Sequence, residues 1–154
     1  MDKILDNKQI EEKAIKLFNA GFNCSQSVLS AFSDKLKLDN ETALKVASGF
    51  GAGMGRLQST CGAVTGAYMV FGVYCGNKYI NNGERKEKSY LMVQEFNHRF
   101  VKKHKTTDCK TLLNCNLTTE EGQKQFSDKN LLDTVCRNCI KDSIRLISEQ
   151  LTHS

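Results

Sequence analysis

The chain has no proline in its 154 residues. That absence suits helices joined by short turns and is unusual for a β-sandwich. Long apolar runs are missing too. The longest, Cys61 to Cys75, holds three glycines and is too short to span a bilayer, so no membrane insertion is expected. The opening MDKILDNKQIEEK has acidic residues and no apolar h-region, so the expected location is cytoplasmic. Several familiar signatures are absent. The glycine-rich stretch places Arg56 where G-x-G-x-x-G needs its third glycine, and no strand precedes it. A P-loop is not there either. His98 and His104 lack a metal-binding spacing such as H-E-x-x-H, and no Ser/His/Asp order or carboxylate pair stands out. Strand signals are weak throughout, and repeats, low-complexity segments and a domain linker are not visible.

What remains is ordinary in bulk. Hydrophobic residues make up 40% and charged residues 25%, which fits one globular domain over 1–154. The net charge of +5 permits an acidic partner without requiring one. The basic run Arg99 to Lys105 complements a helix C-terminus. No aromatic platform accompanies it, so nucleic-acid binding is not expected.

Cysteine is the unusual feature. There are seven, at 24, 61, 75, 109, 115, 136 and 139. In a reducing compartment they point to redox groups or metal ligands rather than a disulfide framework, and an odd number cannot all pair within one chain.

The chain centres on Ser48 to Cys75. Gly49, Gly51, Gly53 and Gly55 alternate, Arg56 follows, and a polar gap leads to Cys61. Thr60 can cap the next helix, which puts Cys61 in its first turn. Unpaired N–H groups and the positive end of the helix dipole favour a thiolate there. Two roles fit the glycine stretch: a mobile loop giving access to Cys61, with Arg56 lowering its pKa, or a tight turn between packed helices. Gly62, Ala63, Gly66 and Ala67 put small residues four apart, which lets another backbone come close.

Periodicity predicts the remaining helices. Ile10, Ala14, Leu17 and Phe18 line a helix over 7–20 stopped by Gly21. Asn23 and Gln26 form a capping-box pattern for a helix over 24–36, with Cys24 at its first position. Asp39 caps a third helix. The fourth, over 61–75, is apolar nearly all round and is expected to be enclosed. A long helix follows from Glu84 to Lys105. Residues 106–122 read as loop with one short helix, holding Cys109 and Cys115. Asp133 caps a last helix to about Leu151, with Cys136 in its first turn. The expected fold is therefore all-α: a compact bundle of about five to seven helices around a buried central one. If the apolar faces exceed one core, a homodimer is expected.

Cys136-x-x-Cys139 lacks the strand context of a thioredoxin-like motif. With Cys109 and Cys115 it could form a four-cysteine metal site, although the spacing between those two is long for a zinc knuckle. Cys75, at the far end of the central helix, is expected to be an inert buried thiol.

These residues together carry a resemblance. Gly21-Phe22-Asn23-Cys24, the glycine stretch to Arg56, Thr60-Cys61-Gly62-Ala63-Val64-Thr65-Gly66-Ala67, Cys109 to Cys115 and Val135-Cys136 resemble the C_GCAxxG_C_C family of redox-active proteins. The likeness runs from about residue 10 to 150. It implies four signature cysteines, matching Cys24, Cys61, Cys109 and Cys136. Cys115 matches a cysteine common in the family, whereas Cys75 and Cys139 look particular to this sequence. Domains related to this family occur with iron centres. Three functions stay open. One is a cytosolic thiol redox protein, acting on a redox partner through Cys24, Cys61, Cys109, Cys136 and Arg56. Another binds zinc or an iron–sulfur cluster through Cys24, Cys61, Cys109, Cys115 and Cys136. The third is an interaction module with inert thiols.

Overall fold

The structure, a computed structural model, describes the backbone over residues 2–154 and the side chains from residue 6 onward. Among the described residues, eight helices carry the chain. Helix α1 spans Asp2–Asn19 and ends where Gly21 turns left-handed at φ +100°. Helix α2 spans Cys24–Ala31, and its capping box is complete. The Asn23 side chain accepts from the Gln26 N–H, and the Gln26 side chain accepts from the Asn23 N–H. Turns follow over 32–37, so α2 stops short of the predicted residue 36. Helix α3, Asn40–Ala47, is capped by Asp39 through the Thr42 N–H. A 3₁₀ turn at Ser48–Phe50 leads into the glycine loop.

Helix α4 is Gly62–Lys78 and helix α5 is Asn82–His104. Two short helices come next, α6 at Cys109–Leu113 and α7 at Glu120–Asp128. A π-helical turn at Leu132–Cys136 runs straight into α8, Arg137–His153. Eight helices exceed the expected five to seven because residues 106–131 hold two short helices. Asp108 caps one through the Thr111 N–H, and Thr119 caps the other through the Gly122 N–H. Among the described residues there is no strand, only an isolated antiparallel bridge between Thr60 and Asp108.

Helix α4 packs mainly on α2 and α5. Its first six residues, Gly62–Ala67, are all buried, as are Val70, Phe71 and Cys75. Enclosure is incomplete further along, where Gly72, Asn77 and Lys78 are exposed. Gly66 permits the approach of α2. A Cβ placed there would lie 2.9 Å from the Val28 Cβ and 3.1 Å from the Ser25 carbonyl oxygen. On the other side Phe71, Phe96 and Phe100 pack ring on ring, with centroids 5.8 and 5.9 Å apart along the series. Each fully buried ring contributes roughly 1.5–3 kcal/mol.

The basic end of α5 is held against α8. Arg99 pairs with Glu149, and the Lys103 Nζ and His104 Nε2 each lie 2.8 Å from the Asp142 carboxylate. Two of the four Lys and Arg residues of that run, Arg99 and Lys103, are therefore committed to helix–helix ion pairs.

Candidate functional site: a pocket of thiols

The site is built around a short backbone pairing. The Cys61 N–H donates to the Thr107 carbonyl at 2.8 Å, and the Cys109 N–H donates to the Ser59 carbonyl at 2.6 Å. This pairing sets the starts of α4 and α6 side by side. Gln58 fastens the next segment. It is almost fully buried, its Nε2 donates to the Cys115 carbonyl at 2.8 Å, and its Oε1 accepts from the Leu117 N–H at 2.8 Å.

The glycine stretch forms one wall. From Ala52 to Arg56 every residue has positive φ: 53°, 68°, 68°, 65° and 65°. The result is one left-handed turn, closed by the Gly55 N–H on the Gly51 carbonyl at 2.8 Å. Left-handed backbone costs a non-glycine residue roughly 1–2 kcal/mol, so Ala52, Met54 and Arg56 are strained while Gly53 and Gly55 are not. Gly53 is needed for space as well. A Cβ there would come within 2.6 Å of both the Cys109 Cβ and the Gln58 Cα.

Behind this wall lies a cavity of about 290 Å³. Cys24, Cys61, Cys109, Cys136 and Cys139 all line it, with Ala52 and Gly53 at its edge. Cys115 does not; it sits behind Cys109 in a small apolar cluster with Leu113 and Leu117. Cys75 is elsewhere in the core, its thiol 3.6 Å from the Met92 sulfur. All seven cysteines are free thiols.

Local structure corrects several expectations about the helix starts. Thr60 does not cap α4; Cys61 itself occupies the N-cap position. Cys109 is not in a loop but is the first residue of α6. Asp133 does not cap α8, because its carboxylate binds the Arg137 guanidinium at 2.7 Å. Cys136 therefore closes a π-helical turn within a continuous helix. Such a turn rotates the side chains after it relative to an α-helix, and it often marks a functional site. Arg56 is exposed and absent from the cavity lining.

The thiols fall into two contacts. Cys61 is held below the ordinary thiol range, first by a hydrogen bond from Cys139 and then by the backbone N–H groups of Ala63 and Val64, against the effect of burial. Arg56 is not among the groups that act on it, so the source of the shift is the helix start and Cys139. Cys139 is pushed up strongly, chiefly by its interaction with Cys61, with burial adding to it. Cys24 is also raised, first by its hydrogen bond with Cys136 and then by burial. Burial, followed by the neighbouring thiols Cys61 and Cys136, pushes Cys109 up to about 12. Burial raises Cys115 as well.

Cys136 and Cys139, one helical turn apart, thus serve two different partners: Cys136 meets Cys24, and Cys139 meets Cys61. Sequence reasoning gave Cys139 a place only in a four-cysteine metal site and left it outside the redox cysteines. The signal was present in its i, i+3 spacing from Cys136, which places both on one face of a helix. It also missed Gln58, whose role depends on contacts 57 and 59 residues away. The metal expectation finds no matching geometry. Among the described residues, no three His, Cys, Asp or Glu side chains are grouped so as to hold an ion.

A family model described as "Putative redox-active protein (C_GCAxxG_C_C)" matches residues 22–150. The chain belongs to this family. No characterised protein and no solved structure matched it. The C_GCAxxG_C_C match spans every residue that lines the thiol cavity except Phe18 and Gly21. None of the described helices is long and apolar enough to cross a membrane.

Proposed function

We propose that this C_GCAxxG_C_C protein is a thiol–disulfide redox protein in which Cys61 is the attacking thiolate and Cys139 the resolving thiol. One observation carries the reading: Cys61 occupies the N-cap position of α4 and lines the cavity together with Cys139, and this helix start and the neighbouring thiol hold it below the ordinary thiol range. That is the environment that lowers a cysteine pKa and makes it a nucleophile at neutral pH.

The steps balance. The Cys61 thiolate attacks one sulfur of a partner disulfide, forms a mixed disulfide and expels the other sulfur as a thiolate, which takes a proton from solvent. Cys61 is then uncharged. The hydrogen bond and negative charge that held the proton on Cys139 are gone, so Cys139 loses its proton to solvent and attacks the Cys61 sulfur. The partner leaves as a dithiol or a pair of thiols, and the protein keeps a Cys61–Cys139 disulfide. The order of attack is built into the pair, because Cys139 is released only after Cys61 has reacted. Cys24 and Cys136 form a second dithiol beside the first, and Cys109 stays protonated between them. Seven free thiols suit a reducing, cytoplasmic setting, and we read 1–154 as one domain.

The test is alkylation of the reduced protein across pH, read residue by residue from peptide masses, followed by mapping of the disulfides formed on mild oxidation. Cys61 should react at a pH below that needed for an ordinary thiol, and Cys139→Ala should move its profile up. Oxidation should give Cys61–Cys139 and Cys24–Cys136. An ordinary profile for Cys61, unmoved by Cys139→Ala, defeats the assignment.

A further inference from the structure

Behind the thiols, the cavity itself restricts what can reach Cys61. Among the described residues, no Lys, Arg, Asp or Glu lines it. Its apolar walls include Phe18, Phe22, Leu112, Phe126, Leu132 and Val135. Among the described residues, Asn23 is the sole lining residue whose side chain carries nitrogen or oxygen, and both ends of that amide are used. Its Oδ1 accepts from the Gln26 N–H at 2.9 Å and its Nδ2 donates to the Ser48 carbonyl at 2.9 Å. Arg137 lies over the Phe18 ring, 5.5 Å from its centroid, and is already paired with Asp133. A ligand that brought a carboxylate or ammonium group into this space would bury it without a partner. The volume of about 290 Å³ lies at the lower end of small-molecule pockets.

We infer that the pocket takes a small disulfide, or the dithiol it becomes, carried on an uncharged apolar group, and that it rejects charged peptide disulfides. This rests on the thiol reading above and adds the substrate class. Specificity comes from desolvation: the walls reward apolar surface and leave charge unpaired. Leu132, 43% exposed and also part of the lining, stands at the mouth, where a change of charge does not disturb the core.

Methanethiosulfonates test this without depending on redox potential. The Cys61 thiolate attacks the sulfenyl sulfur, a disulfide forms, the S–SO₂ bond breaks and methanesulfinate leaves. Three probes are compared on the reduced, folded protein: a neutral benzyl reagent, an anionic sulfonatoethyl reagent and a cationic trimethylammonioethyl reagent. Each rate at Cys61 is divided by the rate of the same reagent with Cys61 in the urea-unfolded chain. The benzyl reagent should lead both charged ones by at least about tenfold on this scale. Leu132→Lys should narrow the gap for the anionic probe and widen it for the cationic one. Equal normalised rates for all three overturn the substrate class and leave the thiolate reading standing. No modification of Cys61 by any probe at neutral pH overturns both.

Discussion

Two glycines in one helix give a paired test of the packing that positions the thiols. Gly66 and Gly72 both lie inside α4, so replacing either with alanine should gain the same local helix propensity, about 1 kcal/mol. Their surroundings differ. A Cβ at Gly72 would meet nothing within 4 Å, and that residue is exposed. A Cβ at Gly66 would meet the Val28 Cβ at 2.9 Å, the Ser25 carbonyl oxygen at 3.1 Å and the Val28 Cγ1 at 3.2 Å. The Ser25 oxygen belongs to the backbone, so α2 as a whole has to move. Overpacking of this kind costs about 1–3 kcal/mol. Gly72→Ala should therefore stabilise by about 1 kcal/mol, whereas Gly66→Ala should range from neutral to about 2 kcal/mol destabilised. The difference between the variants, about 1–3 kcal/mol, isolates the helix–helix contact. Urea unfolding with an unchanged m-value reads it directly. Should Gly66→Ala gain as much as Gly72→Ala, α2 does not lie against α4 at that point, and the placement of Cys24 beside Gly62 falls with it.

Stability should also fall in alkali. Cys109 has its folded pKa raised to about 12, so its contribution is complete below the unfolded thiol pKa and is lost as pH rises through about 9 towards 12. In that window each such thiol costs about 1.4 kcal/mol per pH unit, because the unfolded chain has released a proton that the fold retains. Urea midpoints of reduced protein at rising pH should drop less steeply in Cys109→Ser, and identical slopes would show that Cys109 is not desolvated. Gln58→Ala should lose two buried hydrogen bonds at about 1–3 kcal/mol each, leaving the Cys115 carbonyl and the Leu117 N–H unpaired. A change below about 0.5 kcal/mol would mean that water replaces Gln58 there.

The parts of the fold that were legible in the sequence are those governed by neighbours along the chain. Gly21 ends α1, Asn23 and Gln26 make the capping box, and Asp39 caps α3, because each acts over three or four residues. The small residues of α4 announced a close helix contact for the same reason: spacing alone fixes the face. Legibility failed at turns set from a distance. Asp133 had the chemistry of a cap, yet Arg137 one turn on offered a charged partner and took it. Residues 106–122 read as loop with one short helix, and the two helices found, of five and nine residues, are too short to show periodicity, so that their caps are the main local sign of them.

The thiol pairing was the least legible part, and its physics explains why. A helix start can favour a thiolate from local geometry, and on that ground Cys61 could be picked from sequence. Which second sulfur completes it depends on where α8 crosses α4. Arg56, close in sequence and positively charged, was the natural choice for lowering the Cys61 pKa, but the left-handed turn at 52–56 leaves it exposed. Cys139, 78 positions away and buried, approaches instead. A thiol donor differs from a guanidinium in a way that matters for the chemistry. Arginine would keep its charge through the whole reaction and hold Cys61 as a good leaving group, which returns the mixed disulfide to its starting thiols. Cys139 stabilises the thiolate only while it holds its own proton, then gives up that proton and becomes the second nucleophile. The group that lowers the pKa of the first sulfur is thus the one that resolves the product, and replacing Cys139 with serine should separate the two roles. The hydroxyl can still donate to the Cys61 thiolate, so rapid alkylation at low pH should persist, while the intramolecular disulfide cannot form. If Cys139→Ser instead raises the alkylation profile of Cys61 as far as Cys139→Ala does, a hydroxyl does not replace the thiol as donor, and the separation of the two roles fails.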